Sequence, residues 1–412
     1  MSQHIGAGRS RIRQKVCLES RHRPHRRRMI LMGLWLPLMK AQSNPINLER
    51  MNGERLRQAR ELCDITQTEL ATDAEVAQSA IAQIESGQYT PSDSVARSLA
   101  LNVGFDLSFL CQDTPPVEFP IGSILYRSKA KVTPKEKTRA HRMAQLLFEI
   151  ATVLMSKLRP IPVLLPCLNE ADPAEAAKLA RSNLGLSPDT PIPNIIAAFE
   201  RAGVLVFRLP LEIDGLDGFS VWAGKNSKIP VICLVGRGIG YRDRYTASEE
   251  GGHLILHQPM RCSVEQAETE VKPFTGEFVL PEDAMRREMK TPVTLSSLAT
   301  LRPRWGASIQ FLAKRSNQLG MTSPNQYRYL AQQISAKGWR TNKREPGDDT
   351  IQSETPRLFR KMIESVYGTP MDIKRLRKDL GIPMSLLRSL LAPYGIGEDN
   401  VGAQVVAMRK SS

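Results

Sequence analysis

The stretch Thr66 to Glu85, T-Q-T-E-L-A-T-D-A-E-V-A-Q-S-A-I-A-Q-I-E, decides how the first folded part of this chain is read. Its apolar residues fall at helical spacing in two short runs, Leu70 and Ala71, then Val76, Ile81 and Ile84, with the polar Asp73 to Glu75 between them. Thr66 followed three residues later by Glu69 is the pattern of a capped helix start. The stretch therefore reads as helix, tight turn, helix. In the second helix Val76, Ile81 and Ile84 form a stripe that packs inward, leaving Ala77, Gln78, Ser79 and Gln83 on the opposite face. A glutamine amide offers the paired donor and acceptor that match the major-groove edge of adenine, and Gln67 at the start of the preceding helix is placed to reach a phosphate.

Working outward, Leu56, Ala59 and Leu62 precede this pair at helical spacing. Pro91, Ser92 and Asp93 open a further helix carrying Val95, Leu99 and Leu101, so four or five short helices are expected. The prolines of Gln112 to Pro120 mark a linker. Residues 53 to 101 resemble the Xre/Cro-type helix-turn-helix repressor domain over its full length. The resemblance implies double-stranded DNA as partner, with Gln67, Ala77, Gln78, Ser79 and Gln83 at the contact. One module offers few contacts, so a homodimer on a two-fold site is expected. Residues 51 to 112 carry four Arg against nine Asp and Glu, which keeps open a second reading, a helix-turn-helix used for protein contacts in an antitoxin-like adaptor.

The chain has 412 residues, enough for several domains, with 41% hydrophobic and 24% charged residues, a balance that excludes collagen-like and wholly disordered classes. No stretch approaches the roughly 20 apolar residues that a spanning helix needs, so no membrane partner is expected. The net charge of +15 points to a polyanion, but residues 1 to 28 alone hold nine Lys and Arg against Glu19. That basic run and the apolar Met29 to Met39 read either as a signal peptide or as an unstructured extension ahead of a true start at Met29, Met39 or Met51. The second reading is preferred, and with it a cytoplasmic protein. The six cysteines are never closer than 29 residues, which excludes zinc-finger spacing and suggests reduced thiols.

Beyond the linker, Lys135 to Leu158, Pro173 to Leu184 and Ile195 to Ala202 read as helices. Val204 to Leu209, Phe219 to Trp222 and Ile229 to Val235 are rich in β-branched residues and predict a small sheet. Helices follow again over Arg242 to His257, Ala267 to Val279, Ser296 to Leu301, Gly306 to Lys314 and Gln326 to Ile334, with a charged linker over Arg340 to Asp349. The basic run Lys131 to Arg142, His141 included, reads as a solvated helix face that can add phosphate contacts. Residues 354 to 393 form a last helical module, in which Met371 to Leu391 suggests either a second DNA-reading element or a docking or dimer module.

The chemistry-bearing stretch is Tyr241 to His257, Y-R-D-R-Y-T-A-S-E-E-G-G-H-L-I-L-H. In a zinc peptidase, H-E-x-x-H places two histidines one turn apart on the metal while the glutamate polarises the attacking water. Aligned on His253, the catalytic glutamate is Glu250, but Glu249 stands where the first histidine belongs. Glu268 or Glu270, on the next helix, can supply a third ligand, and Glu270 is preferred. Lys272 suggests a charge partner in place of the metal, although solvent is its simpler surrounding. His253 and His257 are also four residues apart, but no base lies between them, and His257 reads as a packing or capping histidine.

This stretch, with E-T-E-V-K-P-F-T-G-E-F-V-L-P (Glu268 to Pro281) and the helices from Trp305 to Pro346, resembles the ImmA/IrrE family of metallopeptidases from about Leu125 to Pro346. The resemblance implies a zincin-like fold and Zn2+, held here by Glu249, His253 and Glu270. Two carboxylates and one imidazole suit a harder ion and weaken the Lewis acidity that activates water. The expected architecture is multidomain: a basic extension (1 to 50), an all-α helix-turn-helix domain (51 to 111), a linker (112 to 124), an α+β zincin-like domain with a small sheet (125 to 346), and an α-helical C-terminal module (347 to 412). The expected function is a transcriptional regulator whose peptidase-like domain is sensory or regulatory. The alternatives are an active zinc endopeptidase cleaving a partner regulator, and the adaptor.

Overall fold

A computed structural model describes residues 51–112, 117–120, 132–236, 238–257, 263–339 and 345–396. The leader, Cys17, Cys262 and the first half of the charged linker lie outside the described residues. Five short helices open the chain: α1 (Gly53–Leu62), α2 (Gln67–Asp73), α3 (Gln78–Glu85), α4 (Asp93–Val103) and α5 (Leu107–Leu110). Three of the starts, those of α1, α2 and α4, have a side-chain cap. Asn52 accepts from the Glu54 amide, Thr66 and Glu69 close a reciprocal capping box, and Ser92 accepts from Val95. Leu56, Ala59, Leu70, Ile81, Ile84 and Leu99 fill the core between these helices, with Val76 packed at its margin. Leu101 departs from the expected stripe, being 81% exposed on the outer face of α4. Gly53 lets α1 meet the end of α3, because a Cβ there would sit 2.0 Å from the Ile84 carbonyl oxygen.

The middle of the chain is built on one long helix and a three-stranded sheet. The long helix, α6 (Pro134–Lys157), starts with a Thr133–Glu136 capping box and a proline in its first turn. It is followed by α7 (Pro173–Asn183) and α8 (Ile195–Arg201), then β1 (Leu205–Arg208), β2 (Gly218–Ala223) and β3 (Ile229–Leu234). The sheet order is β1-β3-β2, with β1 parallel and β2 antiparallel to β3. All four residues of β1 are buried, as a strand covered on both faces requires. Leu205, Phe207, Phe219, Val221, Val231 and Cys233 face one core with α6, whereas Val206, Ile232 and Leu234 face a second core. That second core is closed by α9 (Gly240–Leu256), α10 (Val264–Val279), α11 (Glu282–Glu288), α12 (Leu295–Trp305), α13 (Ile309–Gln318) and α14 (Pro324–Ala336). Pro303 does not stop α12, which runs on to Trp305 and ends at the left-handed Gly306.

The last helices, α15 (Leu358–Tyr367), α16 (Ile373–Leu380) and α17 (Met384–Leu391), share the core of the helix-turn-helix and α6. The Asp106 amide donates to the Gly381 carbonyl at 3.0 Å, and Arg377 reaches the Asp106 carboxylate at 2.6 Å. Gly381, at φ 65°, turns the chain against Phe109. Leu376 of α16 and Leu387, Leu390 and Leu391 of α17 are thus part of this chain's own core.

Three further expectations are corrected. His141 is 5% exposed and its ring nitrogen pairs with the Phe119 carbonyl at 2.9 Å, because residues 117–120 fold back over α6. Arg142 is consumed by Glu61 at 2.5 Å and Gln145 at 2.8 Å. The end of the charged linker is a clamp rather than a spacer, since Glu345 and Asp348 hold the fully buried Arg302.

Candidate functional site

The outer face of the helix-turn-helix is set by a row of side chains. Arg60 makes a two-pronged pair with Glu85 at 2.6 and 3.0 Å, and Glu85 also accepts from the Gln67 amide at 2.8 Å. Gln67 in turn accepts from Gln78 at 2.8 Å. Gln78 is the first residue of α3, and with Ala77, Ser79 and Gln83 it is exposed. Ala77 gives α3 no side-chain cap, so the Gln78 and Ser79 amides at its start meet no capping side chain. Gln67 is half-buried, bridging α2 to α3.

The second constellation lies on α9 and α10. α9 is a glycine-bearing helix because two neighbours press on it. A Cβ on Gly251 would meet the Phe199 ring at 2.0 Å, and one on Gly252 would meet Phe274 at 2.7 Å. Those glycines let α9, which carries Glu249, Glu250 and His253, pack closely against α8 and α10. Glu250 is 2% exposed and lies under β2 beside Gly218, whose missing side chain leaves room for the Thr246 methyl and the Cys233 carbonyl. Burial, and after it the Glu250 charge, pushes the Cys233 thiol well above its ordinary range.

Glu249 accepts from the Tyr245 hydroxyl at 3.1 Å. Burial and the neighbouring Lys272 hold the half-buried Lys314 ammonium below its ordinary pKa, with Glu249 pulling the other way. His253 Nδ1 meets His257 Nδ1 at 3.0 Å, and His257 Nε2 meets Glu270 at 3.1 Å. Gln266 donates to the other oxygen of Glu270 at 2.7 Å, and this bond, ahead of that from His257, keeps the carboxyl below its usual range against the effect of burial. His253 Nε2 makes no hydrogen bond among the described residues and faces the Glu268 carboxylate at 3.7 Å.

The residues singled out from sequence therefore lie close together but point apart. Glu249 turns to Tyr245 and Glu270 turns to His257, with only His253 holding a ring nitrogen clear of hydrogen bonds. Among the described residues no group of three or more His, Cys, Asp and Glu side chains is arranged to hold a metal ion. As these donors stand, zinc would have to draw Glu249 from Tyr245 and Glu270 from His257. Tyr245 and Lys314 were not singled out, and Tyr245 alone carries a local signal, one turn before Glu249 on α9. His257, read as a packing or capping histidine, is the C-cap residue of α9 with its side chain buried, and it also joins α9 to α10 through Glu270.

A helix-turn-helix domain followed by this peptidase-like arrangement defines a DNA-binding type of regulator. Residues 56–110 match the helix-turn-helix family and residues 199–317 match the IrrE N-terminal-like domain. No curated protein matches the chain. Among the described residues no helix is long and apolar enough to cross a membrane.

Proposed function

We propose that this chain is a cytoplasmic transcriptional regulator of the Xre type that binds a short two-fold DNA site as a homodimer. Its peptidase-like domain then senses a signal or receives a partner regulator, with zinc chemistry weakened by Glu249 in place of histidine. The observation that carries the reading is the exposed row on α3, with Gln78 held in place by Gln67 while Ala77, Ser79 and Gln83 are free to face a groove. The packing of α6 and α15 to α17 into the core of the helix-turn-helix supports the regulatory part, since a shift in either is felt by the DNA-reading helices. Selection of bound duplexes from a random pool at low salt tests it: an enriched, two-fold symmetric site is expected. No enrichment with folded protein leaves the adaptor reading standing.

One observation favours a second reading, an active zinc endopeptidase with Glu249, His253 and Glu270 as ligands and Glu250 as base. His253 Nε2 is enclosed without a hydrogen bond, as a metal-facing imidazole nitrogen is. Metal analysis of the purified protein separates the two.

A further inference from the structure

The helix-turn-helix is poor in cations: residues 51 to 112 hold four Arg against nine Asp and Glu, and each of the four is paired with a carboxylate. Arg55 is held by Gln58 and Glu149, Arg57 by Glu61, Arg60 by Glu85, and Arg97 by Asp93. Only Arg57 and Arg97 sit at exposed positions from which they can turn to a phosphate, so the sequence-independent part of the affinity calls for further cations from another element.

α6 packs along α1 and brings its first turns to the corner between α1 and α2. Lys135 Nζ lies 3.2 Å from Asp64, three residues before Gln67, which in turn holds Gln78. Arg139, one turn further along α6, makes no hydrogen bond or ion pair among the described residues, and its Nε is enclosed without a partner. Its charge acts on Cys63 at the end of α1, where it opposes the burial that pushes the thiol up to about 11. Arg142, on the same face, is already consumed by Glu61. The Lys135–Asp64 pair does not remove Lys135 from use, because its partners are 59% and 40% exposed. Such an exposed pair contributes little to stability and opens readily for a phosphate.

We propose that Lys135 and Arg139 of α6 form the phosphate-binding flank of the helix-turn-helix, gripping the DNA backbone beside the bases read by α3. The inference rests on the regulator reading above. It makes the peptidase-like part of the chain a contributor to DNA affinity, so the isolated helix-turn-helix is an incomplete binding unit.

The test is the salt dependence of binding by the full chain to a duplex of random sequence and to the enriched site. Lys135→Gln with Arg139→Gln should weaken both duplexes alike and reduce the slope of log K against log salt by about 2, since each phosphate contact contributes about 0.9. Lys135→Gln alone, at an exposed position, should reduce it by about 1. Lys135→Arg with Arg139→Lys should keep the slope, which separates charge from packing. An unchanged slope in folded Lys135→Gln and in the double variant overturns the proposal while leaving the regulator reading intact. If the unaltered chain binds neither duplex at low salt, both fall.

Discussion

The side-chain amide of Gln78 donates to Gln67 at 2.8 Å, so the first residue of the recognition helix is oriented by the helix before it. An oriented amide loses less rotamer freedom on meeting a base than a freely rotating one. Gln78→Ala is therefore expected to relax sequence preference at one base pair by about 1 to 3 kcal/mol, the value of a bidentate base contact. Gln67→Ala should lower the same preference by a smaller amount with Gln78 still present. Binding of single-base variants of the enriched site measures both, and equal discrimination by all three proteins would show that Gln78 reads no base.

Behind that row, Glu85 is the hub that receives Arg60 and Gln67. Both charged partners are largely buried, with side chains 10% and 4% exposed. Glu85→Ala strands the guanidinium and is expected to cost about 3 to 5 kcal/mol in denaturant unfolding. Replacing both, as Arg60→Met with Glu85→Leu, should recover most of that loss, because the unpaired charge is gone. If the double variant is as unstable as the single one, the cost lies in packing rather than in the orphaned charge.

What the sequence made legible is what depends on neighbours along the chain. The Thr66–Glu69 capping box and the Ile81–Ile84 stripe are local, and so are the β-branched runs of the sheet. What stayed hidden depends on residues brought from afar. His141 is covered by Phe119, Arg142 is met by Glu61 across 81 positions, and Arg302 is held by Glu345 across 43. The candidate metal site divided in the same way. The spacing of Glu249, Glu250 and His253 on one helix was readable, but not the hydrogen bond that turns Glu249 toward Tyr245 or the one that turns Glu270 toward His257.

His141 also fixes a pH dependence. Burial, its largest influence, lowers its pKa below the ordinary value of about 6.5, against the Phe119 carbonyl bond, which raises it. The unfolded chain therefore takes up a proton at a higher pH than the folded one. Its contribution is present in full above about pH 6.5 and is lost as pH falls toward the depressed folded value. Unfolding measured at several pH values should show His141→Gln less sensitive to acid over that window than the unaltered protein. Parallel curves would contradict the buried neutral imidazole.

Gly251 tests the packing that positions the motif. An alanine in a helix interior is normally favoured over glycine by about 1 kcal/mol. Here its Cβ would lie 2.0 Å from the Phe199 ring, itself fully buried. Overpacking of this kind costs about 1 to 3 kcal/mol, so Gly251→Ala should lower Tm despite the better helix former. A raised Tm would mean that Phe199 can move aside at little cost.

The last prediction concerns the metal. Glu249 replaces an imidazole with a carboxylate and is bonded to Tyr245, while Glu270 is bonded to His257, so zinc has to compete with both contacts. Purified protein should therefore hold zinc well below one ion per chain. Glu249→His should raise that occupancy, because it restores an N-donor one turn before His253 on the same face of α9. The readout is metal content by elemental analysis after dialysis against a weak chelator. Full occupancy in the unaltered chain, lost on His253→Ala, would show that the side chains rotate to accept the ion and would favour the peptidase reading. In that case Glu250→Gln should abolish cleavage and keep the metal, since it removes the base and spares the ligands.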